Sequence, residues 1–349
     1  MTMHGGDIYR NKVTLDYSVN TNPLGVCEEV KKALLSSMEE VEHYPDYYCE
    51  ELKEALAEYH QLKPEQILCG NGASEIITAV CRYVQPQKVL LPVPGFSGYE
   101  KALKAVGAGV CYVLSQADSE FAATETIIKA IREQKPDMLF LTNPNNPTGQ
   151  LLSKKSVDKI VAACDKAQTF LVVDECFIEL TMYRDESLLY RGIPKNALVL
   201  RAFTKSYAIP GVRLGYAVVA NKELRDGVEE QLSEWSVSIP AQKAGLVALQ
   251  EEAYLERARL VIAQERERLR KELKELGMQV FPSSANYILI YDPAEDDSLY
   301  RFLLRWGILI RDCSDYYGLS QGYYRIAVKM PEENDQLLSR IKECFYARD

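Results

Sequence analysis

Between residues 66 and 220 the chain alternates short apolar runs with amphipathic stretches. This alternation predicts strands separated by helices and favours an α/β fold, in which a mostly parallel sheet is covered by helices on both faces. The predicted strands are Val89–Leu91, Val110–Leu114, Met138–Leu141, Thr169–Val173, Ala197–Arg201 and Leu214–Val219. The predicted helices are Ser74–Val84, Gly98–Val106, Thr124–Glu133 and Ser153–Ala167, the last with Ser153 as its N-cap.

A smaller α+β unit follows a charged amphipathic stretch, residues 241–275, which predicts one long or broken helix linking two domains. The elements predicted after it are strand Tyr287–Tyr291, helix Ser298–Trp306, strand Ile308–Arg311, strand Tyr323–Val328 and helix Glu332–Cys344. We therefore expect an N-terminal arm over residues 1–28 that joins the small domain. A large cofactor-binding domain over 29–244 and a small C-terminal domain over 245–349 complete the predicted organisation.

The composition limits the partners of the chain. Its formal net charge is −9, which argues against nucleic-acid binding because phosphate backbones attract basic surfaces. Nine cysteines without a Cys-x-x-Cys motif and only three histidines argue against a metal site. The N-terminal residues lack the features of a signal peptide, and no apolar run is long enough to span a bilayer. We expect a cytoplasmic protein with free thiols.

A lysine follows one of the predicted buried strands, and an arginine lies eight positions further on across a Pro-Gly turn. An amine that forms a Schiff base must be deprotonated and sheltered, and Lys205 at a strand end meets that need. Arg213 offers a planar cation that suits a phosphate. This spacing suits an enzyme that holds pyridoxal 5'-phosphate covalently. The alternative is a surface lysine with an arginine in an ion pair.

Two further segments favour the same cofactor. Gly70-x-Gly72 precedes a predicted helix, so the N–H groups of Ala73 and Ser74 are free to bind a phosphate, unless Ser74 simply caps the helix. Asp174 ends an apolar strand, where a carboxylate needs a partner such as a protonated pyridine nitrogen. The alternatives for Asp174 are a loop cap or a magnesium ligand.

Two more strands end in residues suited to the cofactor. Asn146 follows the strand Met138–Leu141, where open α/β sheets bind ligands, and it can donate to the phenolic oxygen of pyridoxal phosphate. Phe96 also follows a strand, and its ring offers a stacking face. A structural turn and a buried aromatic are the alternatives for these two residues.

In this order and spacing, the motifs resemble those of fold-type I pyridoxal-phosphate enzymes, in the branch with histidinol-phosphate aminotransferase and threonine-phosphate decarboxylase. The resemblance implies that Lys205 is the Schiff-base lysine, Asp174 the partner of the pyridinium, Asn146 the ligand of O3′ and Phe96 the stacking ring. It implies that the phosphate is held by Ala73, Ser74, Thr204 and Arg213, together with Tyr44 from the neighbouring subunit of a homodimer. Ala202 departs from the family, where a phosphate-binding Ser or Thr is common.

The resemblance favours the decarboxylase in three places. The opening segment with Asn20 is similar to that of the decarboxylase. Phe96 stands where the aminotransferase usually has a Tyr, and Phe177 takes the position of a second aminotransferase Tyr, which hydrogen-bonds the cofactor's O3′. It implies that Arg325 binds the substrate carboxylate and that Arg311, with His4 as a weaker candidate, lies on the phosphate side. Either arginine has an interdomain salt bridge as its alternative. The implied reaction is the decarboxylation of O-phospho-L-threonine to (R)-1-aminopropan-2-yl phosphate in cobalamin synthesis. The alternatives are a histidinol-phosphate or related aminotransferase and a non-catalytic pyridoxal-phosphate-binding protein.

Overall fold

A computed structural model describes residues 5–294 and 298–346, so His4 lies outside the described residues. Its strands are β1 Leu15–Asp16, β2 Ile67–Gly70, β3 Lys88–Val93, β4 Gly109–Leu114, β5 Met138–Thr142, β6 Phe170–Asp174, β7 Ala197–Ala202, β8 Gly215–Val219, β9 Gln279–Val280, β10 Tyr287–Tyr291, β11 Ile308–Leu309, β12 Arg311–Asp312 and β13 Tyr323–Ala327. Its α-helices are α1 Glu28–Ser36, α2 Glu50–His60, α3 Ala73–Val84, α4 Gly98–Ala105, α5 Thr124–Gln134, α6 Lys154–Ala167, α7 Phe203–Ser206, α8 Lys222–Glu229, α9 Ile239–Ala248, α10 Glu252–Glu275, α11 Ser298–Arg305 and α12 Pro331–Tyr346.

The largest sheet in the described chain has seven strands in the order β2-β8-β7-β6-β5-β3-β4. β3 to β7 run parallel, while β8 is antiparallel to both of its neighbours. The predicted α/β fold with a mostly parallel central sheet is confirmed. Because β3, β5 and β6 are parallel neighbours, the segments that follow them meet at one edge of the sheet.

The central strands of this sheet, such as β5 and β6, are buried on both faces, which explains why they are continuous apolar runs without polar alternation. On β5, Leu139 and Leu141 belong to one hydrophobic core with residues of α5 and α6. Met138 and Phe140 point to the other face and pack in a second core with residues of α3. Ser153 caps α6 as predicted, since its hydroxyl accepts from the Ser156 amide.

The second unit contains a four-stranded antiparallel sheet in the order β12-β13-β10-β9. The prediction of a single strand over Ile308–Arg311 is wrong. Ile308–Leu309 pairs in parallel with Leu15–Asp16 from the N-terminal segment, whereas Arg311–Asp312 pairs with β13. Neighbouring parts of the segment 308–312 thus belong to two different sheets. Which strand each part pairs with depends on residues far away in the sequence. The domain boundaries at residues 28 and 244 remain predictions.

Two other elements refine the expectations from sequence. The stretch 241–275 forms two helices, α9 and α10, separated by residues 249–251, so the broken form is the observed one. The strand Ile67–Gly70 was missed because four buried residues carry too little periodicity to stand out. Within the described residues, no helix combines the length and the apolar character needed to cross a membrane.

Candidate active site

A cavity of about 270 Å³ opens at the carboxyl ends of the central strands. Its wall combines the N-terminal segment, the large sheet and the small antiparallel sheet. The structure brings together these residues predicted from sequence: Asn20, Ala73, Ser74, Phe96, Asn146, Asp174, Thr204, Lys205, Arg213, Arg311 and Arg325. Tyr44 does not line this cavity and lies at the surface, 79% exposed.

Lys205 lies in α7, the short turn that follows β7, and its side chain reaches the cavity. The pKa of Lys205 is lowered to about 8, mainly by burial and in addition by the nearby guanidiniums of Arg325 and Arg213. An amine with this pKa is partly neutral at pH 7, and a neutral amine is the nucleophilic form.

The turn that carries Lys205 is held by Asn22, a buried residue that sequence reasoning missed. The Asn22 backbone N–H donates to the carbonyl of Lys205 at 2.9 Å, and its side-chain amide donates to the carbonyl of Ser206 at 2.8 Å. Asn22 lies two positions after Asn20 in a segment whose importance the sequence does signal. The N-terminal segment therefore fixes the backbone position of the lysine.

Asp174 ends β6 and is 7% exposed. Its Oδ1 accepts from the backbone N–H of Cys176 at 3.0 Å, and its Oδ2 accepts from the hydroxyl of Tyr99 at 2.7 Å. The carboxylate thus caps the following loop, as the alternative reading of the sequence held, while it also lines the cavity. A carboxylate has more acceptor positions than these two donors use, so a further donor can bind from the cavity.

An anion pocket, formed by Gly72, Ala73, Ser74 and Arg213, lies at the start of α3. Gly72 is the N-cap, with a φ of 72° and no side-chain cap, so the first turn of the helix presents its N–H groups. Ser74 is a residue of the first turn, and the alternative that it caps α3 is wrong. A Cβ at Gly72 would lie 2.6 Å from Arg213 Nη2, so glycine lets the guanidinium approach the helix.

Arg325, on β13, is 5% exposed and crosses from the small sheet to the large domain. Its guanidinium donates to Asn146 Oδ1 and, at 2.6 Å, to the carbonyl of Ser18. Since the oxygen of the Asn146 amide faces Arg325, the NH₂ group is the end that can donate to a ligand. The contact of Arg325 with the large domain is thus a hydrogen bond to the Asn146 amide. The positive charge of Arg325 is not paired with a carboxylate in these contacts.

Arg311 has a different environment, because Asp315 binds its Nη2 in a bidentate pair at 2.8 and 3.0 Å. The guanidinium also lies 5.0 Å from the ring centroid of Tyr316, which lines the cavity. The salt bridge that the sequence left open is therefore present, although it lies within the small unit. Arg311 still reaches the cavity wall, with its orientation fixed by Asp315 and Tyr316.

Besides Tyr316, two phenylalanines line the cavity, Phe96 and Phe177. Phe96 is partly buried, and its ring packs against Gly98, where a Cβ would lie 2.2 Å from the ring. Phe177 meets Tyr287 edge to face at 5.0 Å, and the Tyr287 hydroxyl donates to the carbonyl of Asn145. Ala202 also lines the cavity, so no hydroxyl is present there to bind an anion.

The buried carbonyl oxygen Asn20 Oδ1 provides a test of whether the cavity suits a ligand. It has no hydrogen-bond partner among the described residues, although an unpaired buried acceptor is costly. Together with Lys205, Asp174 and the anion pocket in one cavity, this unpaired acceptor indicates that the cavity suits a polar ligand. The residues present fit pyridoxal phosphate.

Fold-type I pyridoxal-phosphate enzymes use this combination of groups: a lysine of lowered pKa, a buried carboxylate and an anion pocket at a helix N-terminus. The family model for aminotransferase class I and II matches residues 12–341, and the chain belongs to this family. Its cofactor is pyridoxal 5'-phosphate.

The chain is 36% identical to threonine-phosphate decarboxylase from Salmonella typhimurium, over 98% of this chain and 96% of that one. It is 32% identical to histidinol-phosphate aminotransferase 2 from Archaeoglobus fulgidus, over 96% and 94%. The crystal structure of histidinol-phosphate aminotransferase from Clostridium acetobutylicum superposes with a TM-score of 0.89 at 30% identity, covering 95% of this chain and 99% of that one. These relatives establish an enzyme family and leave two reactions to compare.

Proposed function

We propose that this enzyme decarboxylates O-phospho-L-threonine to (R)-1-aminopropan-2-yl phosphate and carbon dioxide, a step of cobalamin synthesis. The observation that supports it most is the presence of Arg311 and Arg325 in the same cavity as Lys205, in addition to the anion pocket. Two arginines beyond those needed for the cofactor phosphate suit a substrate with a carboxylate and a phosphate. The similarity to threonine-phosphate decarboxylase agrees with this assignment.

The cavity residues suggest how the cofactor would be held. Its phosphate would bind the first turn of α3 at Ala73 and Ser74, together with Thr204 and Arg213, and Asp174 would pair with the protonated ring nitrogen. Phe96 would stack on the ring, and the NH₂ group of Asn146 would donate to the phenolic oxygen. When bound, pyridoxal phosphate accepts the electrons released from a bond at the substrate α-carbon.

The protein's own contribution is orientation and proton transfer. Arg325 would bind the substrate carboxylate and so orient the groups at the α-carbon, while Arg311 would bind the substrate phosphate. After carbon dioxide leaves, Lys205 Nζ delivers a proton to the α-carbon, a role that suits its lowered pKa. Phe177 presents no hydroxyl to the cofactor, and Asn20 Oδ1 offers an acceptor to substrate or cofactor.

The reaction is tested by incubating the holoenzyme with O-phospho-L-threonine and measuring carbon dioxide and the phosphorylated amino alcohol. We expect stoichiometric release of both without any amino acceptor. The second candidate, histidinol-phosphate aminotransferase, is favoured by relatives of 32% identity. It predicts no carbon dioxide, and instead glutamate formed from histidinol phosphate and 2-oxoglutarate. That second outcome would replace the decarboxylase assignment.

The pH at which the cofactor-free protein captures pyridoxal phosphate should report the pKa of Lys205. Because that pKa is about 8, below the ordinary lysine value of about 10.4, the neutral amine appears at lower pH. The capture rate should therefore rise roughly tenfold from pH 7 to pH 9 and then level off. Stopped-flow absorbance measures it, with Nα-acetyl-lysine as the control amine. A rate that still climbs tenfold per pH unit above pH 9 contradicts the lowered pKa.

We propose in addition a homodimer with shared sites, in which Tyr44 reaches the cofactor phosphate of the neighbouring subunit. Tyr44 supports this by its position on the surface, where its ring lies 4.8 Å from that of Trp235, which is itself 43% exposed. Light scattering should give twice the 39.5 kDa chain mass.

The hydroxyl of Tyr44 should matter for cofactor affinity. Tyr44→Phe is expected to weaken pyridoxal-phosphate binding roughly tenfold, the usual effect of losing a hydrogen bond to a charged group. Tyr48→Phe, in the same exposed segment, is the matched control and should bind as the wild type does. Equal affinities for all three proteins, measured by equilibrium dialysis, would remove Tyr44 from the site.

A further inference from the structure

Three polar side chains meet at the carboxyl-terminal edge of the large sheet, those of Tyr99, Thr142 and Asp174. Tyr99 lies in the first turn of α4, after β3, while Thr142 and Asp174 are the last residues of β5 and β6. The Tyr99 hydroxyl lies 2.7 Å from Asp174 Oδ2 and 2.8 Å from Thr142 Oγ1. We propose that Tyr99 is a positioning residue that holds Asp174 toward the cofactor, an inference that rests on the role of Asp174 in the proposed function.

The direction of these hydrogen bonds follows from the chemistry of the groups. An ionised carboxylate only accepts, so the single proton of the Tyr99 phenol points to Asp174 Oδ2. The phenol oxygen is then the acceptor in its contact with Thr142, and the Thr142 hydroxyl is the donor. In the series Thr142–Tyr99–Asp174, each hydroxyl therefore donates its hydrogen bond toward the carboxylate. These hydrogen bonds disperse part of the negative charge of Asp174.

The ring of Tyr99 has little freedom to move. It is 3% exposed, stacks on Phe140 with centroids 4.5 Å apart at an interplanar angle of 18°, and meets Phe96 edge to face at 5.3 Å. Phe96 is the proposed stacking ring of the cofactor. One tyrosine thus contacts both groups that are proposed to orient the cofactor ring, Phe96 through its edge and Asp174 through its hydroxyl.

The other groups around Asp174 differ in character from the Tyr99 phenol. The backbone N–H of Cys176 donates to Oδ1 at 3.0 Å, and the phenol of Tyr99 donates to Oδ2 at 2.7 Å. The thiol of Cys176 also forms a side-chain hydrogen bond with Asp174, and the phenol of Tyr287 interacts with it electrostatically; burial raises the pKa of both groups. Neither group therefore accounts for a midpoint found in the neutral range.

Tyr99→Phe tests the proposal because it removes only the hydroxyl and keeps the stacked ring. Without the donated proton the carboxylate keeps more negative charge, which favours the protonated form of the lysine-bound cofactor. The pH midpoint of the visible absorbance of the holoenzyme should rise by at least about half a pH unit. The dissociation constant of pyridoxal phosphate should increase roughly tenfold.

Thr142→Val is the second variant, and it should move the midpoint in the same direction by a smaller amount. Tyr346→Phe, a change at an exposed tyrosine in α12, is the control and should leave the midpoint unchanged. A purely structural role for Tyr99 predicts altered thermal stability with an unchanged midpoint, and that result would overturn the inference. If Tyr99→Phe does not fold, an unchanged midpoint in Thr142→Val overturns it equally.

These readouts need no substrate, so they separate the two proposals. A wild-type protein that shows the visible band and releases no carbon dioxide from O-phospho-L-threonine refutes the decarboxylase, while the midpoints still decide the role of Tyr99. A wild-type protein without any such band, after addition of pyridoxal phosphate, refutes both.

Discussion

The Lys205→Ala protein is expected to lose decarboxylase activity by roughly 10³- to 10⁶-fold, because one substitution removes both the covalent attachment of the cofactor and the proton carrier. Its visible absorbance band should disappear on dialysis. The protein should still fold, since Asn22 binds the backbone of this turn through main-chain carbonyls that alanine retains.

The matched control for this experiment is Lys195→Ala, ten positions earlier at an exposed site. It should keep the band and the activity of the wild type. Absorbance spectra before and after dialysis, together with carbon dioxide release, measure both properties. A Lys205→Ala protein that retains the band and turns over at the wild-type rate would show that the attachment point lies elsewhere.

Asp174→Asn should lower kcat by roughly 10²- to 10⁴-fold, within the range measured for breaking a buried charge pair. Asparagine is neutral and cannot keep a ring nitrogen protonated. It also offers a single acceptor oxygen to the two donors, Tyr99 and the Cys176 N–H, that now share the carboxylate. The loss should be larger than that of Tyr99→Phe, which acts only through Asp174.

Asp137→Asn is the control for the aspartate variant. Asp137 also accepts two N–H groups, those of Gln87 and Lys88, both at 2.8 Å, but it precedes β5 at the opposite end of the sheet. Its replacement should reduce thermal stability and leave kcat near the wild-type value. Equal losses of kcat in the two variants would mean that Asp174 acts through stability alone. Steady-state kinetics on both holoenzymes measures the difference.

Much of the fold follows from the local sequence. β5 and β6 are recognisable because residues on both faces are apolar, which is characteristic of a strand buried between two layers of helices. Lys205, Asp174 and Asn146 were predicted as site residues because each is a polar residue just beyond such a strand. The structure places all three in one cavity, as strand ends of a parallel sheet require.

What the sequence does not reveal are the contacts between distant segments. Asn22 meets Ser206 across 184 residues, and nothing in the local pattern of either segment records that pairing. Tyr99 depends on the order of three strands, which periodicity does not determine. The pairing of Arg311 with Asp315 depends on how one loop folds back on β12. The local sequence therefore identified most of the residues proposed to take part in the chemistry. It identified few of the residues that hold those side chains in position.

The parallel pairing of Leu15–Asp16 with Ile308–Leu309 affects when the enzyme can become active during its synthesis. The segment that supports the lysine turn leaves the ribosome well before its strand partner, which is translated nearly three hundred residues later. Arg325, which binds the carbonyl of Ser18, emerges later still. A nascent chain arrested before these residues would expose an incomplete pocket, so maturation with vitamin B6 must follow translation of Arg325.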